Sequence, residues 1–197
     1  EGVSPEIDVS ERAQDLEELL SRIAGTNHKL IVLHGESGVG KSSLLNGGLV
    51  PELLGRSRDN RKNVPILLRR YTNWQVEIIE TFGLASSPVN RRLDDPPTDD
   101  HIRLSRLNIP DLRPLDSKKK STIFQAIMPR LQQWEEDDLR PVLIFDQFEE
   151  FFFANPDPIL RQEFFQFIAD CLDFQPSALK IIFSLRHDYL HYLLECN

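Results

Sequence analysis

The residues best equipped for chemistry are Gly35, Glu36, Ser37, Gly38, Val39, Gly40, Lys41, Ser42 and Ser43, which lie inside the stretch KLIVLHGESGVGKSSLLN. Their spacing is G-x-x-x-x-G-K-S. Glycines admit backbone dihedrals that a Cβ forbids, so successive N–H groups can turn into one concavity, and the positive end of a following helix adds to their pull on an anion. A phosphate chain suits such a hollow. Lys41 would then reach the β and γ phosphates as a point charge, and the Ser42 hydroxyl would sit on Mg²⁺. At average composition this spacing arises by chance in about 1% of chains of this size. The plainer reading is a glycine-rich surface turn beside an ordinary lysine. The context argues against it, because an apolar run, Leu30 to Leu33, precedes the motif and helix-forming residues follow it.

In a parallel α/β sheet, ligands collect at the carboxyl ends of the strands. Two more apolar runs end on residues with chemistry to offer: Val142 to Phe145 ends on Asp146, and Lys180 to Leu185 ends on Arg186. Asp146 suits Mg²⁺ held through water, although an aspartate closing an apolar strand is also a common cap or turn former. Glu149 and Glu150 are candidates to orient or deprotonate an attacking water, or are a solvated acidic pair. Arg186 could read a γ phosphate with its planar fork, or form a structural salt bridge to Asp188 or Glu150.

These residues need strands and helices to hold them. Ser10 is expected to cap a helix through Leu16, Leu19, Leu20 and Ile23 to Gly25, after an extended lead-in over residues 1 to 9. The helix behind the phosphate loop is expected to stop at or near Pro51, with Gly47 and Gly48 either packed against a neighbour or marking early termination. A second strand is expected over residues 64 to 70, with Pro65 at its start, and a helix from Trp74 to Phe82. Residues 86 to 121 hold five prolines and much charge, and read as an insertion, mobile or carrying a small docked element. From Thr122 to Trp134 the apolar spacing is helical, with a kink or restart expected at Pro129. The run Val142 to Phe145 has the composition of a strand buried on both faces. Asp157 and Pro158 read as N-cap and first residue of the next helix, and a helix begins at His187.

The chain has 197 residues, with 31 Asp and Glu against 23 Lys and Arg. That size fits one domain over residues 1 to 197, and the acidic balance argues against a nucleic-acid surface. Cys171 and Cys196 have no metal-ligand or disulfide-framework spacing. No apolar run reaches the roughly 20 residues a bilayer needs, so no membrane partner and a cytoplasmic location are expected. Glu1 at the start, with Met128 as the only methionine, suggests a piece of a longer protein.

Three segments, GESGVGKSSLLNGGLVPELL, PVLIFDQFEEFF and IIFSLRHDYL, resemble the NTPase core of the STAND class, the signal-transduction ATPases with numerous domains. The form DQFEE is similar to the branch called novel STAND, and the likeness runs from about Val9 to Leu194. It implies a three-layer P-loop NTPase fold with a mostly parallel sheet, present here as about four strands, without the fifth strand and helical lid. It also implies residues 35 to 42 as Walker A, Asp146 as the Walker B aspartate, Glu149 and Glu150 as catalytic or structural, and Arg186 as a sensor arginine. ATP or ADP with Mg²⁺ would serve as a switch, with other domains of a parent chain, and nucleotide-dependent self-assembly, as partners. Glu11 and Arg12 stand where the family carries glycine and arginine. Gln147 stands where many P-loop ATPases carry glutamate, so binding is expected ahead of hydrolysis. A module in which nucleotide is structural and never turned over is the alternative. A P-loop GTPase is disfavoured, because neither N-K-x-D nor T-K-x-D occurs.

Overall fold

The computed structural model describes residues 5–26, 28–55, 61–84, 120–175 and 178–194, with side chains described between Arg12 and Leu193. Helix α1 (Pro5–Ala24) leads into β1 (Leu30–Gly35). A continuous helical run follows, made of α2 (Lys41–Ser43), a π-helical turn (Leu44–Leu49) and α3 (Val50–Gly55). Then come β2 (Lys62–Leu68), α4 (Trp74–Thr81), α5 (Thr122–Glu136), β3 (Leu139–Phe145) and α6 (Glu149–Ala154). Helix α7 (Pro158–Asp173), β4 (Lys180–Arg186), a 3₁₀ turn (His187–Tyr189) and α8 (Leu190–Leu194) complete the order.

The four strands form one sheet in the order β1-β4-β3-β2, and every pairing is parallel. Alternation along β3 and β4 supplies both faces. Val142, Ile144 and Ile182 point to the side of α1 and the run 41–55, where Leu19, Leu20, Ile23, Leu45, Leu49 and Leu53 cover them. Leu143, Phe145, Ile181, Phe183 and Leu185 point the other way, into a larger cluster built with α4, α5, α6 and α7. This is a three-layer α/β arrangement, and it explains why β3 is apolar throughout. Pro65 lies within β2 rather than at its start, and is tolerated because β2 is, among the described residues, an edge strand paired with β3 alone.

Several expectations are corrected. Helix α1 begins at Pro5, so residues 5 to 9 are not an extended lead-in and Ser10 is not a cap. Proline suits a first helical position, where its missing N–H has no intrahelical partner to lose. The run after the phosphate loop passes through Pro51 to Gly55, because the turn before it widens: Val50 N–H donates to Leu45 O, five residues back. Gly48 packs on α1, a Cβ there lying 3.4 Å from Leu16, while nothing lies near Gly47. Helix α5 does not restart at Pro129 but carries it inside, on the exposed side next to exposed Gln125, whose carbonyl can receive no N–H from it. Strand β2 ends at Leu68, leaving Arg69 and Arg70 beyond it. Most of the segment 86–121, and Cys196, lie outside the described residues. Among those described, no helix is long and apolar enough to cross a membrane.

Side chains tie the amino ends of the strands together. Lys29 Nζ donates to Leu172 O and Phe174 O at the end of α7, and Lys180 Nζ donates to Gly25 O and His28 O after α1. Glu135 accepts from Arg61 at 2.8 Å and from Ala178 N at 2.9 Å, linking α5 to the entries of β2 and β4. The Arg61 hydrogen bond holds the Glu135 carboxyl below its ordinary value of 4.5. A depressed folded-state value means a contribution present above that pH and lost as pH falls through the depressed value. Glu135→Gln should therefore lower stability at neutral pH by about 1 kcal/mol, the pair being partly solvated. Urea melts should show the gap to wild type closing below about pH 4.

Candidate functional site

All four strands deliver a residue with chemistry to the same edge of the sheet. Gly35 and Arg186 are register partners at the ends of β1 and β4, and Leu68 and Phe145 are partners at the ends of β2 and β3. The ladder continues one step further, with Asp146 N–H donating to Leu68 O at 3.0 Å. Asp146 and Arg69 therefore emerge side by side. Phe148 N–H donates to Ser184 O at 2.8 Å, which closes the turn after β3 over β4.

In the phosphate loop, Gly38 and Gly40 have φ of 82° and 92°, a left-handed backbone that a side chain would strain. Lys41 Nζ donates to Gly35 O at 2.9 Å and to Glu36 O at 2.7 Å, so the lysine spans the loop from its first helical position. Glu36, Ser37, Gly38, Val39 and Ser43 are exposed, and Ser42 is half-buried. Arg12, from α1, also reaches this loop: a Cβ on Gly40 would meet its Nη2 at 3.3 Å. The side chain of Glu11 lies outside those described.

Asp146 is fully buried, and its carboxylate has four donors. Oδ1 accepts from Ser42 Oγ at 2.9 Å and from Gln147 N–H at 3.0 Å. Oδ2 accepts from Arg69 Nε at 3.0 Å and Arg69 Nη2 at 2.9 Å. The Ser42 hydroxyl and the Asp146 carboxylate thus meet across 104 residues of sequence. Two hard oxygen donors side by side are a donor set that fits Mg²⁺, which keeps several waters and takes one or two protein oxygens. Among the described residues no group of three His, Cys, Asp or Glu gathers as a metal cluster. Sequence reasoning missed Arg69. Its signal, one residue beyond the strand that pairs with the one ending at Asp146, becomes visible only with the strand order.

The remaining candidates are placed as follows. Glu149 Oε2 accepts from Arg186 N–H at 3.2 Å, so this carboxylate ties α6 to the end of β4. Glu150 is exposed. Arg186 donates through Nε and Nη2 to Asp188 at 3.1 and 2.7 Å and lies over the Tyr189 ring, which is the structural salt bridge anticipated as its alternative role. Gln147 has a left-handed backbone, φ 54°, and is exposed. His34 and His187, next to Gly35 and Arg186, bring their Nδ1 atoms to 3.4 Å.

An aromatic layer holds the turn after β3 in position. Phe148 is fully buried, stacked on Phe151 at 5.0 Å and against Phe183 at 4.4 Å, and Phe145 and Phe164 pack beside it. Burying Phe148 drives the turn inward and leaves Asp146, Gln147 and Glu149 at the edge. Tyr71 completes the brace: its hydroxyl donates to Asp146 O at 2.6 Å, and Asn155 Nδ2 donates to Tyr71 O. Burial pushes the Tyr71 hydroxyl well above its ordinary value of 10.0, with Asp146, Glu150 and Glu149 adding to the shift.

Tyr71→Phe should reduce stability by about 1–2 kcal/mol in denaturant melts, because the Asp146 carbonyl loses a buried donor. A raised folded-state value gives a contribution present below pH 10 and lost as pH rises beyond it. Wild type should therefore lose more stability than Tyr71→Phe above about pH 10.

The site thus pairs a glycine-rich loop with a hydroxyl and carboxylate suited to a divalent cation, on a parallel sheet of order β1-β4-β3-β2. Comparison with curated proteins finds no match. Comparison with family models finds one that matches over residues 11–197, Novel STAND NTPase 1, and the chain belongs to that family of NTPases.

Proposed function

We infer that the chain is an adenine-nucleotide switch core that binds ATP or ADP with Mg²⁺ and turns ATP over slowly. The observation that carries this reading is the 2.9 Å contact between Ser42 Oγ and Asp146 Oδ1. It joins the hydroxyl that closes the phosphate loop to the carboxylate that ends β3, the two groups a phosphate-bound cation requires. Residues 35 to 43 cradle the phosphates through backbone N–H groups, and Lys41 exchanges its bonds to Gly35 O and Glu36 O for phosphate oxygens. Ser42 and Asp146 hold Mg²⁺, which when bound offsets charge on the β and γ phosphates. Arg186 leaves Asp188 to sense the γ phosphate, and Glu149 or Glu150 positions water.

In this reading nucleotide state biases the arrangement of further domains and self-assembly in a longer chain. A bound γ phosphate shifts that balance only by its differential affinity for the two arrangements. The second reading, a module that retains nucleotide without turnover, is favoured by Gln147 and by the engagement of Glu149 with Arg186 N–H. Phosphate release separates the two. Slow but measurable release that Glu149→Gln or Glu150→Gln abolishes supports the switch, and no release supports the retention module.

Calorimetry tests the binding itself. Lys41→Ala should weaken Mg²⁺–ATP binding by about a hundredfold, the scale of losing one charged hydrogen-bonding group to phosphate. Equal affinity for wild type and Lys41→Ala would overturn the reading. ATP should outcompete GTP.

A further inference from the structure

The acceptor capacity of Asp146 is full. An ionised carboxylate offers about four lone-pair sites, and this one receives four donors: Ser42 Oγ and Gln147 N–H on Oδ1, and Arg69 Nε and Nη2 on Oδ2. A divalent cation, or a water it carries, can approach this carboxylate only by displacing one of them. Gln147 N–H is backbone held by the turn, so the movable donors are Ser42 and Arg69. Turning the Ser42 hydroxyl frees a lone pair but leaves the charge neutralised, and a dication gains little from a carboxylate already paired with a guanidinium. Releasing Arg69 frees the charge itself. Its side chain is 42% exposed while that of Asp146 is fully buried, so the arginine, not the aspartate, is the partner able to move.

We propose that Arg69 is the resident counter-cation of the metal position and makes divalent-cation binding at Asp146 conditional on a phosphate ligand. This rests on the nucleotide reading of the site. Without phosphate, the guanidinium satisfies the buried carboxylate and excludes Mg²⁺. A phosphate chain in the loop offers that planar fork a second anionic partner. As Arg69 turns to it, the Asp146 carboxylate is left without its counter-charge and accepts the cation that accompanies the nucleotide. Nucleotide and metal then bind together, and Asp146 does not collect a cation in the empty site. Arg69 acts on the metal through Asp146 and is a positioning residue. Arg70 has a separate role, paired with Glu77 at 3.4 Å.

The test uses Mn²⁺ as the probe, followed by electron paramagnetic resonance on nucleotide-free protein. Wild type should bind Mn²⁺ weakly. Arg69→Gln should bind it about ten to a hundredfold more tightly, the scale on which groups hydrogen-bonded to metal-binding carboxylates act. The gain should vanish in Arg69→Gln/Asp146→Asn, and Arg69→Lys, which keeps the charge, should stay close to wild type. A second measurement needs no variant: the wild-type melting temperature should ignore millimolar Mg²⁺ alone and rise with Mg²⁺ and ADP together. Unchanged or weaker Mn²⁺ binding by folded Arg69→Gln, or a wild-type melting temperature raised by Mg²⁺ alone, would overturn the proposal. A wild type that binds no nucleotide in calorimetry would instead overturn the nucleotide reading, while the Mn²⁺ arms still report on Arg69.

Discussion

A single buried charge organises this structure. Asp146 has no exposed surface, and an isolated carboxylate in such a place would be neutralised or would destabilise the fold. Its four donors come from the phosphate-loop helix, the end of β2 and the turn it opens, while its main-chain carbonyl is held by Tyr71. The ends of β2 and β3 and the loop helix are thereby pinned to one another at the edge where a ligand would enter. Removing one donor would leave the rest of the network around an incompletely satisfied charge, which is why such networks are costly to half-dismantle.

The apolar layers serve that arrangement. On one face, Phe145, Phe148, Phe151, Phe164 and Phe183 interlock around the turn after β3, Phe145 lying edge to face on Phe148 and Phe164, and Phe148 stacked on Phe151. Such packing adds to area burial and fixes orientation. On the other face the helical run behind the loop packs on α1, with Leu16 3.4 Å from where a Cβ on Gly48 would lie. The π-helical turn at Leu44–Leu49 lets the run continue through Pro51 while keeping Leu45 and Leu49 fully buried. Irregular helix geometry here is the means by which one helix satisfies both a loop at its start and a proline in its middle.

The charges at the edge are held in partnerships that a polyanion would disturb. Lys41 bonds to loop carbonyls, Arg69 to Asp146 and Arg186 to Asp188. Three cations engaged in this way have positions set by their partners. Under the proposed function, each arginine would exchange its carboxylate partner for phosphate, and that exchange would distinguish a liganded arrangement from the empty one.

Much of this was legible in the residues. The tight glycine-rich loop after β1 follows from glycines whose left-handed dihedrals other residues adopt only at a cost, and the inner strands from largely apolar runs. The cap at Asp157 followed from an acceptor side chain placed before Pro158, and its Oδ1 accepts from Ile159 N–H at 2.8 Å. These are local properties, fixed by one residue and its near neighbours. What the sequence left undecided depends on which strands lie side by side. Arg69 became part of the site only because β2 pairs with β3 and sets its end beside Asp146, and Glu149 was tied to Arg186 only because β4 lies next to β3. The persistence of the helix through Pro51 and of α5 through Pro129 was likewise a tertiary outcome. Local preference opposes both, and burial of Leu45, Leu49, Leu53, Ile127 and Leu131 against the sheet outweighs it.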